Sequence, residues 1–436
     1  MKKYRPELHI TPKYGWINDP NGFCFFKGKY HLYAQYFPYD LKWGPMHWLH
    51  FSSKDLIHWK EEGIALKPSE TYDIGWGCFS GSAIEKDGKL YVLYTGSSYG
   101  KQTQCLAYSN DGHNFTKYEG NPVISQKDLP EGYTDKDFRD PKIFFKDGHY
   151  YVLTACRHVK GYSSILLFKT DDLIHYSFVS VLKTFDNPTP LKPDGMVECP
   201  DIIFEGDKCA LIYSLQHKPQ NGDINLIPQA PVSYEVGYLD LDEGVFTAIG
   251  KVHALDKGFD CYATQTLSKD GKNYIVWWSN LWDVNYPSEK EGYVGPLSLV
   301  KKIRIHDHTL RMEFLPDTPN IIQIDLETVE NMSYLEIGNI TVKFNKEKKL
   351  IYVTRYNMDT CIKTADGNIL DKRIFSLPYL DTLYLEVSID HSCVELSFNK
   401  GQKFLSILNY AKNIPEQIPV IYKDSEGDLI YAFFDW

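Results

Sequence analysis

Lys27-Gly28-Lys29, Asp87-Gly88-Lys89, Asp147-Gly148-His149, Glu205-Gly206-Asp207 and Asp270-Gly271-Lys272 each sit between an apolar stretch and an aromatic-rich one. The five central glycines follow one another at steps of 60, 60, 58 and 65 residues. A near-constant period of this size marks one supersecondary unit repeated, and Gly beside an acidic residue or Lys between alternating residues marks a β-hairpin. A second element recurs in four of the repeats. Asp55-Leu56-Ile57-His58-Trp59, Asp111-Gly112-His113-Asn114-Phe115, Asp172-Leu173-Ile174-His175-Tyr176 and Asp242-Glu243-Gly244-Val245-Phe246 each place an aromatic four residues after an Asp. That spacing predicts a turn into an outer strand. Two hairpins make four strands per repeat, and four-stranded units repeated about an axis describe a β-propeller.

The expected fold is therefore all-β: a five-bladed β-propeller over residues 1–316, a linker over 317–332 and a β-sandwich over 333–436. The rhythm breaks at Pro316 to Pro319, and Ile321 to Met332 reads as a short helical or extended linker. Alternating strands are predicted at Ile340–Phe344, Leu350–Thr354, Leu383–Ile389, Val394–Phe398, Phe404–Leu408 and Leu429–Phe433, with turns at Ala365-Asp366-Gly367-Asn368 and Ser425-Glu426-Gly427-Asp428. Short antiparallel strands at this spacing suit a sandwich. The Pro-, Gln- and Asn-rich stretch between Leu215 and Tyr234 reads as a long loop.

Composition limits the function. The chain of 436 residues is too long for one ordinary core. Its net charge of −10 argues against a nucleic-acid partner, which would be met by clustered Lys and Arg. No apolar run approaches the ~18 residues of a membrane span. The segment from Met1 to Glu7 has no apolar stretch behind it and does not read as a signal peptide. Nine irregularly spaced cysteines without a Cys-x-x-Cys pair read as free thiols, so a cytoplasmic location is expected. Thirty-two Tyr and nine Trp suit strands and sugar-stacking surfaces alike.

Three acids stand at matching places. Asp19, Asp140 and Glu198 precede the glycines of the first, third and fourth repeats by nine, eight and eight residues. Each is followed by a proline: Pro20, Pro141 and, one residue later, Pro200. Proline opens strands and avoids the middle of central ones, so the acids are expected at the entry ends of neighbouring strands. In a radial arrangement they would meet. Converging carboxylates can hold a hard cation or work on a glycosidic bond. Nothing like a calcium-loop pattern occurs, so no metal or other cofactor is expected. Trp16, Trp43, Trp48, Trp76 and Phe79 nearby favour a small-molecule sugar as the partner. Arg139 could donate two hydrogen bonds to vicinal hydroxyls or pair with Asp140. His47 and His50 lack a third ligand and read as structural.

The chain resembles glycoside hydrolase family 32, the invertase or β-fructofuranosidase family. The likeness is carried by Trp16-Ile17-Asn18-Asp19-Pro20-Asn21-Gly22, Phe79-Ser80-Gly81-Ser82, Phe138-Arg139-Asp140-Pro141-Lys142 and Glu198-Cys199-Pro200-Asp201. Trp43-Gly44-Pro45-Met46-His47-Trp48, Ser53-Lys54-Asp55-Leu56-Ile57-His58-Trp59 and Asp260-Cys261-Tyr262-Ala263-Thr264-Gln265 match less closely. The resemblance implies a retaining hydrolase that releases fructose from β-fructofuranosides, sucrose or sucrose 6-phosphate foremost. It implies Asp19 as nucleophile, Glu198 as general acid and base, and Asp140 as a stabiliser of the transition state. Asn18, Gln35, Trp43, Phe79, Ser80, Arg139 and Tyr262 would bind substrate. Phe37, Leu49 and Val300 depart from the family pattern, the first two where the leaving group would be recognised. Three rivals remain open: an inverting five-bladed glycosidase acting on pentose polymers, a fructosyltransferase, and a non-catalytic sugar-binding propeller.

Overall fold

The computed structural model describes residues 4–185, 195–216, 231–282, 284, 286–359, 371–413 and 416–435. Most of the expected loop after Leu215 and the turn expected at Ala365–Asn368 lie outside the described residues. The fold is nearly all-β. The helical elements among the described residues are two short 3-10 turns, Gln126–Asp128 and Pro287–Glu291.

Five antiparallel sheets follow in chain order. The first holds Gly15–Phe26, Lys29–Phe37, His47–Ser53 and Trp59–Leu66, and the second Gly77–Lys86, Lys89–Ser98, Lys101–Ser109 and Phe115–Lys117. The third holds Tyr133–Lys146, His149–His158, Ser163–Thr170 and Ser177–Phe185. The fourth is built on Val197–Glu205, Lys208–Leu215, Val232–Asp240 and Val245–Ala248, with His253–Ala254 added beside Val232–Asp240. The fifth holds Tyr262–Lys269, Lys272–Trp278, Lys301–His306 and Thr309–Phe314. The leading strand of each sheet packs against that of the next, and the fifth leading strand packs against the first, so the contacts close a circuit. The short strand Tyr293–Val294 joins the first sheet, parallel to Gly15 and Trp16.

The glycine turns explain the leading hairpins. Lys27/Gly28, Asp87/Gly88, Asp147/Gly148 and Asp270/Gly271 all have positive φ at both central residues, the requirement of a type I′ turn. In the fourth sheet the loop shifts to Gly206-Asp207, with Gly206 alone at positive φ. Outer turns are held by an Asp side chain. Asp55 Oδ1 accepts the amides of Ile57 and His58 at 2.9 and 2.8 Å, and Asp111 and Asp172 repeat this. In the fourth sheet Asp240, rather than the expected Asp242, accepts these bonds, at 3.0 and 2.9 Å. The Asp242 spacing matched by composition; the accepting carboxylate must lie two residues before its first donor.

The three prolines do not open strands. Pro20, Pro141 and Pro200 lie inside Gly15–Phe26, Tyr133–Lys146 and Val197–Glu205. All three leading strands shift register there, between Ile17 and Pro20, between Arg139 and Lys142, and between Glu198 and Asp201. A bulge is the place inside a sheet where a missing N–H costs no ladder bond.

Two further sheets follow. One orders Ile321–Leu326, Leu383–Asp390, Cys393–Phe398 and Lys403–Leu408. The other orders Lys372–Ser376, Leu350–Arg355, Ile340–Asn345, Tyr334–Ile337, Gln417–Lys423 and Asp428–Asp435. Ile321–Leu326, expected within a linker, is thus a strand paired along its length with Leu383–Ser388. Alternate residues Ile340, Val342 and Phe344 share a core with Leu385, Val387 and Leu396. Buried charges join these sheets to the first five. Arg355 Nη1 meets Asp260 Oδ2 at 3.1 Å, and Lys301 Nζ meets Glu395 Oε1 at 2.6 Å. Asp390 takes the amides of Glu7, Leu8 and His9, each at 2.8 Å, and ties the N-terminal segment down.

Candidate active site

Strand alternation alone would turn Asn18 from Asp19, Arg139 from Asp140 and Glu198 from Cys199. The bulges undo this by letting two successive side chains face the same way. Asp140 (φ +62°) and Cys199 (φ +48°) carry the left-handed backbone that makes the turn. One pocket of about 450 Å³ results, lined by Asn18, Asp19, Gln35, Trp43, Phe79, Gln102, Asp137, Arg139, Asp140, Glu198, Gln216 and Trp282.

Asp19 is buried and held by donors on both oxygens. Gln35 Nε2 and Ser80 Oγ donate to Oδ2 at 2.9 and 2.5 Å, and Asn18 Nδ2 donates to Oδ1 at 2.9 Å. Trp16 Nε1 fixes Asn18 in turn at 2.8 Å. The Cys199 thiol lies 3.6 Å from Asp19 Oδ2 and 3.7 Å from Asp140 Oδ2, so both carboxylates reach one sulfur. Asp140 Oδ2 also accepts the Cys199 amide at 2.9 Å. Glu198 is gripped on both oxygens. Arg139 donates from Nε and Nη2 to Oε1 at 3.0 and 2.8 Å, and the Tyr262 hydroxyl donates to Oε2 at 2.5 Å.

Electrostatics follow from burial. Desolvation pushes the Asp19 pKa up; the Ser80 bond opposes this and the Glu198 charge adds to it. Asp140 is pushed up to about 7 by burial, against the pull of Arg139 and with the repulsion of Glu198 and Asp19. Burial disfavours the charge on Arg139, but Glu198, Asp140 and Asp137 hold the guanidinium firmly protonated.

The structure brings Asp19, Asp140 and Glu198 to one pocket together with Asn18, Gln35, Trp43, Phe79 and Arg139. Ser80 and Tyr262 stand behind the lining, bonded to Asp19 and Glu198. Arg139 pairs with Glu198 rather than Asp140, which its Nε approaches only to 4.0 Å. Trp48 is fully buried and donates to the Phe79 carbonyl, so it does not line the pocket. His47 and His50 diverge: His47 bonds the Pro45 carbonyl, while His50 joins His31 and His113. Gln102, Asp137, Gln216 and Trp282 were not anticipated. Asp137 was within reach, since it lies two residues before Arg139 and so on the same strand face. Among the described residues no group of three or more His, Cys, Asp and Glu could hold a metal.

Paired buried carboxylates with a guanidinium and aromatic walls, on an all-β frame, suit the chemistry of a glycoside hydrolase. The N-terminal domain of glycosyl hydrolases family 32 matches residues 9–314. A sucrose-6-phosphate hydrolase of Klebsiella pneumoniae is 35% identical, with 92% of this chain and 87% of that protein aligned. A GH32 beta-fructofuranosidase of Bombyx mori superposes with a TM-score of 0.78 at 32% identity, covering 95% of this chain and 90% of that one. Sucrose-6-phosphate hydrolase from Lactobacillus gasseri gives a TM-score of 0.83 at 25% identity, covering 98% and 92%. The chain belongs to glycoside hydrolase family 32.

Proposed function

We propose that the enzyme releases fructose from β-fructofuranosides, sucrose or sucrose 6-phosphate, by a retaining double displacement. The observation that carries this reading is the meeting of Asp19 and Asp140 on the Cys199 thiol, beside a Glu198 held by Arg139 and Tyr262. The relatives' names point to the same substrates. The closed circuit of five leading strands supports a five-bladed propeller over residues 1–316, and the two later sheets support a β-sandwich. Because Ile321–Leu326 pairs into the later sheets, we begin the second domain there rather than at 333.

In this mechanism Asp19 attacks the anomeric carbon C2 of the fructosyl unit. Its three donors keep one oxygen aimed while burial strips it of water. Glu198 gives its proton to the departing glycosidic oxygen, and a fructosyl ester forms on Asp19. Glu198 then takes a proton from water, which attacks C2 and frees the Asp19 carboxylate. Asp140 grips fructose hydroxyls and stabilises positive charge developing on the ring without bonding to it. Trp43, Phe79 and Trp282 supply apolar walls for the sugar. Eight described cysteines are free and buried, which suits a reducing compartment and leads us to assign the enzyme there.

Proton NMR of the first-formed fructose during sucrose hydrolysis tests the scheme. Retention is expected, and Asp19→Asn and Glu198→Gln should each abolish most turnover. Release of the inverted anomer, or full activity in both variants, would overturn it.

A further inference from the structure

Far along the chain from the pocket acids, four basic residues gather where the fourth sheet meets the C-terminal sheets. His253 pairs with Tyr234 across the strands and stacks on its ring at 5.3 Å. The Lys257 amide bonds the Phe404 carbonyl at 2.8 Å, which sets Lys257 beside Lys403. Lys257 Nζ turns back to the Ala254 carbonyl at 3.0 Å, toward His253. Lys257 is only 8% exposed, Lys403 and His253 are half-buried and Lys251 is exposed. None of the four lines the pocket that holds Asp19.

No carboxylate forms an ion pair with any of them among the described residues. Asp256, the acid on the same segment, directs Oδ1 to the Gly258 amide at 2.6 Å. Burial comes first among the influences on the titration of these groups, and their mutual repulsion follows it. Burial and then Lys403 push the Lys257 pKa down to about 7, with Asp256 pulling the other way and Lys251 adding to the fall. Burial followed by Lys257, Lys403 and Lys251 pushes His253 down to about 4. Burial and then Lys251 lower Lys403. In a chain of net charge −10 such a concentration of cations is not a general surface property. A buried amine with one carbonyl partner and basic neighbours holds its proton weakly, and an anion that met it would favour the charged form.

We propose that Lys251, His253, Lys257 and Lys403 form a binding site for a compact tetrahedral oxyanion, a phosphate group. Lysine ammonium groups serve phosphate as point charges on flexible stems, and the Ala254 carbonyl holds the Lys257 side chain in place among them. The group could come as inorganic phosphate or as the phosphate of a phosphorylated hexose. The site is independent of the reaction assigned to the pocket.

Isothermal titration of the full chain with inorganic phosphate at constant ionic strength tests this, with hexose 6-phosphate and unphosphorylated hexose as parallel arms. One saturable phosphate site per chain is expected, weakened at least tenfold in both Lys257→Met and Lys403→Met. Lys403 is half-buried, so its variant keeps the test open should Lys257→Met fold poorly. Equal affinity for the two phosphates identifies the free anion as sufficient; tighter binding of hexose 6-phosphate identifies a sugar phosphate as the ligand. Absence of saturable binding, or binding unchanged in both variants, overturns the site.

Discussion

Tyr262→Phe separates a residue that touches sugar from one that acts through Glu198. The hydroxyl donates to Glu198 Oε2 at 2.5 Å, while Arg139 makes two bonds to the other oxygen. Removing it therefore leaves the Glu198 carboxyl anchored but one donor short. In the proposed first step Glu198 acts as the acid, so the bond then joins two neutral groups, worth about 0.5–1.5 kcal/mol; once the proton has left, its acceptor is an anion and it is worth about 1.5–3 kcal/mol. Only the difference accelerates the reaction, because a bond equally strong in ground and transition states lowers KM without raising kcat. That difference is about 1–1.5 kcal/mol, or roughly five- to thirteen-fold in kcat. Steady-state kinetics on sucrose at saturating and limiting concentrations should show kcat falling by this factor with KM nearly constant. The melting temperature of the variant checks that the fold survives. A rise in KM with unchanged kcat would place the hydroxyl on the substrate and refute the assignment to Glu198.

Three further outcomes follow from the geometry. Lys301→Met leaves Glu395 buried and unpaired except for His9, so unfolding in guanidinium should show a loss of about 3–5 kcal/mol, with the double variant Lys301→Met/Glu395→Leu recovering most of it; equal losses in both would show that the ion pair is not the cause. Asp140 binds its proton more tightly folded, with a pKa of about 7 against 3.8, so its contribution to stability is full below about pH 4 and declines as pH rises through 7. Asp140→Asn, which keeps an acceptor for the Cys199 amide, should therefore gain in melting temperature over the parent at pH 8 but not at pH 4, while losing activity; a pH-independent difference would contradict this. A Cβ on Gly81 would sit 2.0 Å from the Leu93 carbonyl, so Gly81→Ala should cost about 1–3 kcal/mol or more in the same assay, and a neutral result would mean that the second sheet yields freely there.

The repeat was legible because hairpin chemistry is local: two residues with positive φ must come from Gly, Asp, Asn or a tolerant Lys, and they recur at a fixed period. The acids were legible for the same reason, as each stands beside a bulge that recurs in its strand. Partners across strands were less so. Adjacency in sequence suggested Asp140 for Arg139, but the bulge carries Arg139 over to Glu198, 59 residues away. Gln102 and Gln216 sit at no recurrent offset from the turn glycines, and Trp282 follows its strand in an irregular segment. Among the C-terminal strands, Gln417–Lys423 hides behind its own Pro419, and Ile321–Leu326 behind the prolines before it. Ile322, Ile324 and Leu326 do alternate, a period-two signal that the neighbouring breakers outweighed.

The parallel pairing of Gly15 and Trp16 with Tyr293 and Val294 has a bearing on biosynthesis. At roughly 5–20 residues per second the ribosome needs some fifteen seconds to a minute to deliver the later strand after the earlier one. For that interval the first sheet presents an unsatisfied edge to its surroundings, and the anchor for His9 on Asp390 arrives later still. Until Tyr293 and Val294 emerge, a newly made chain carries an open strand edge, the kind of surface on which other chains can pair.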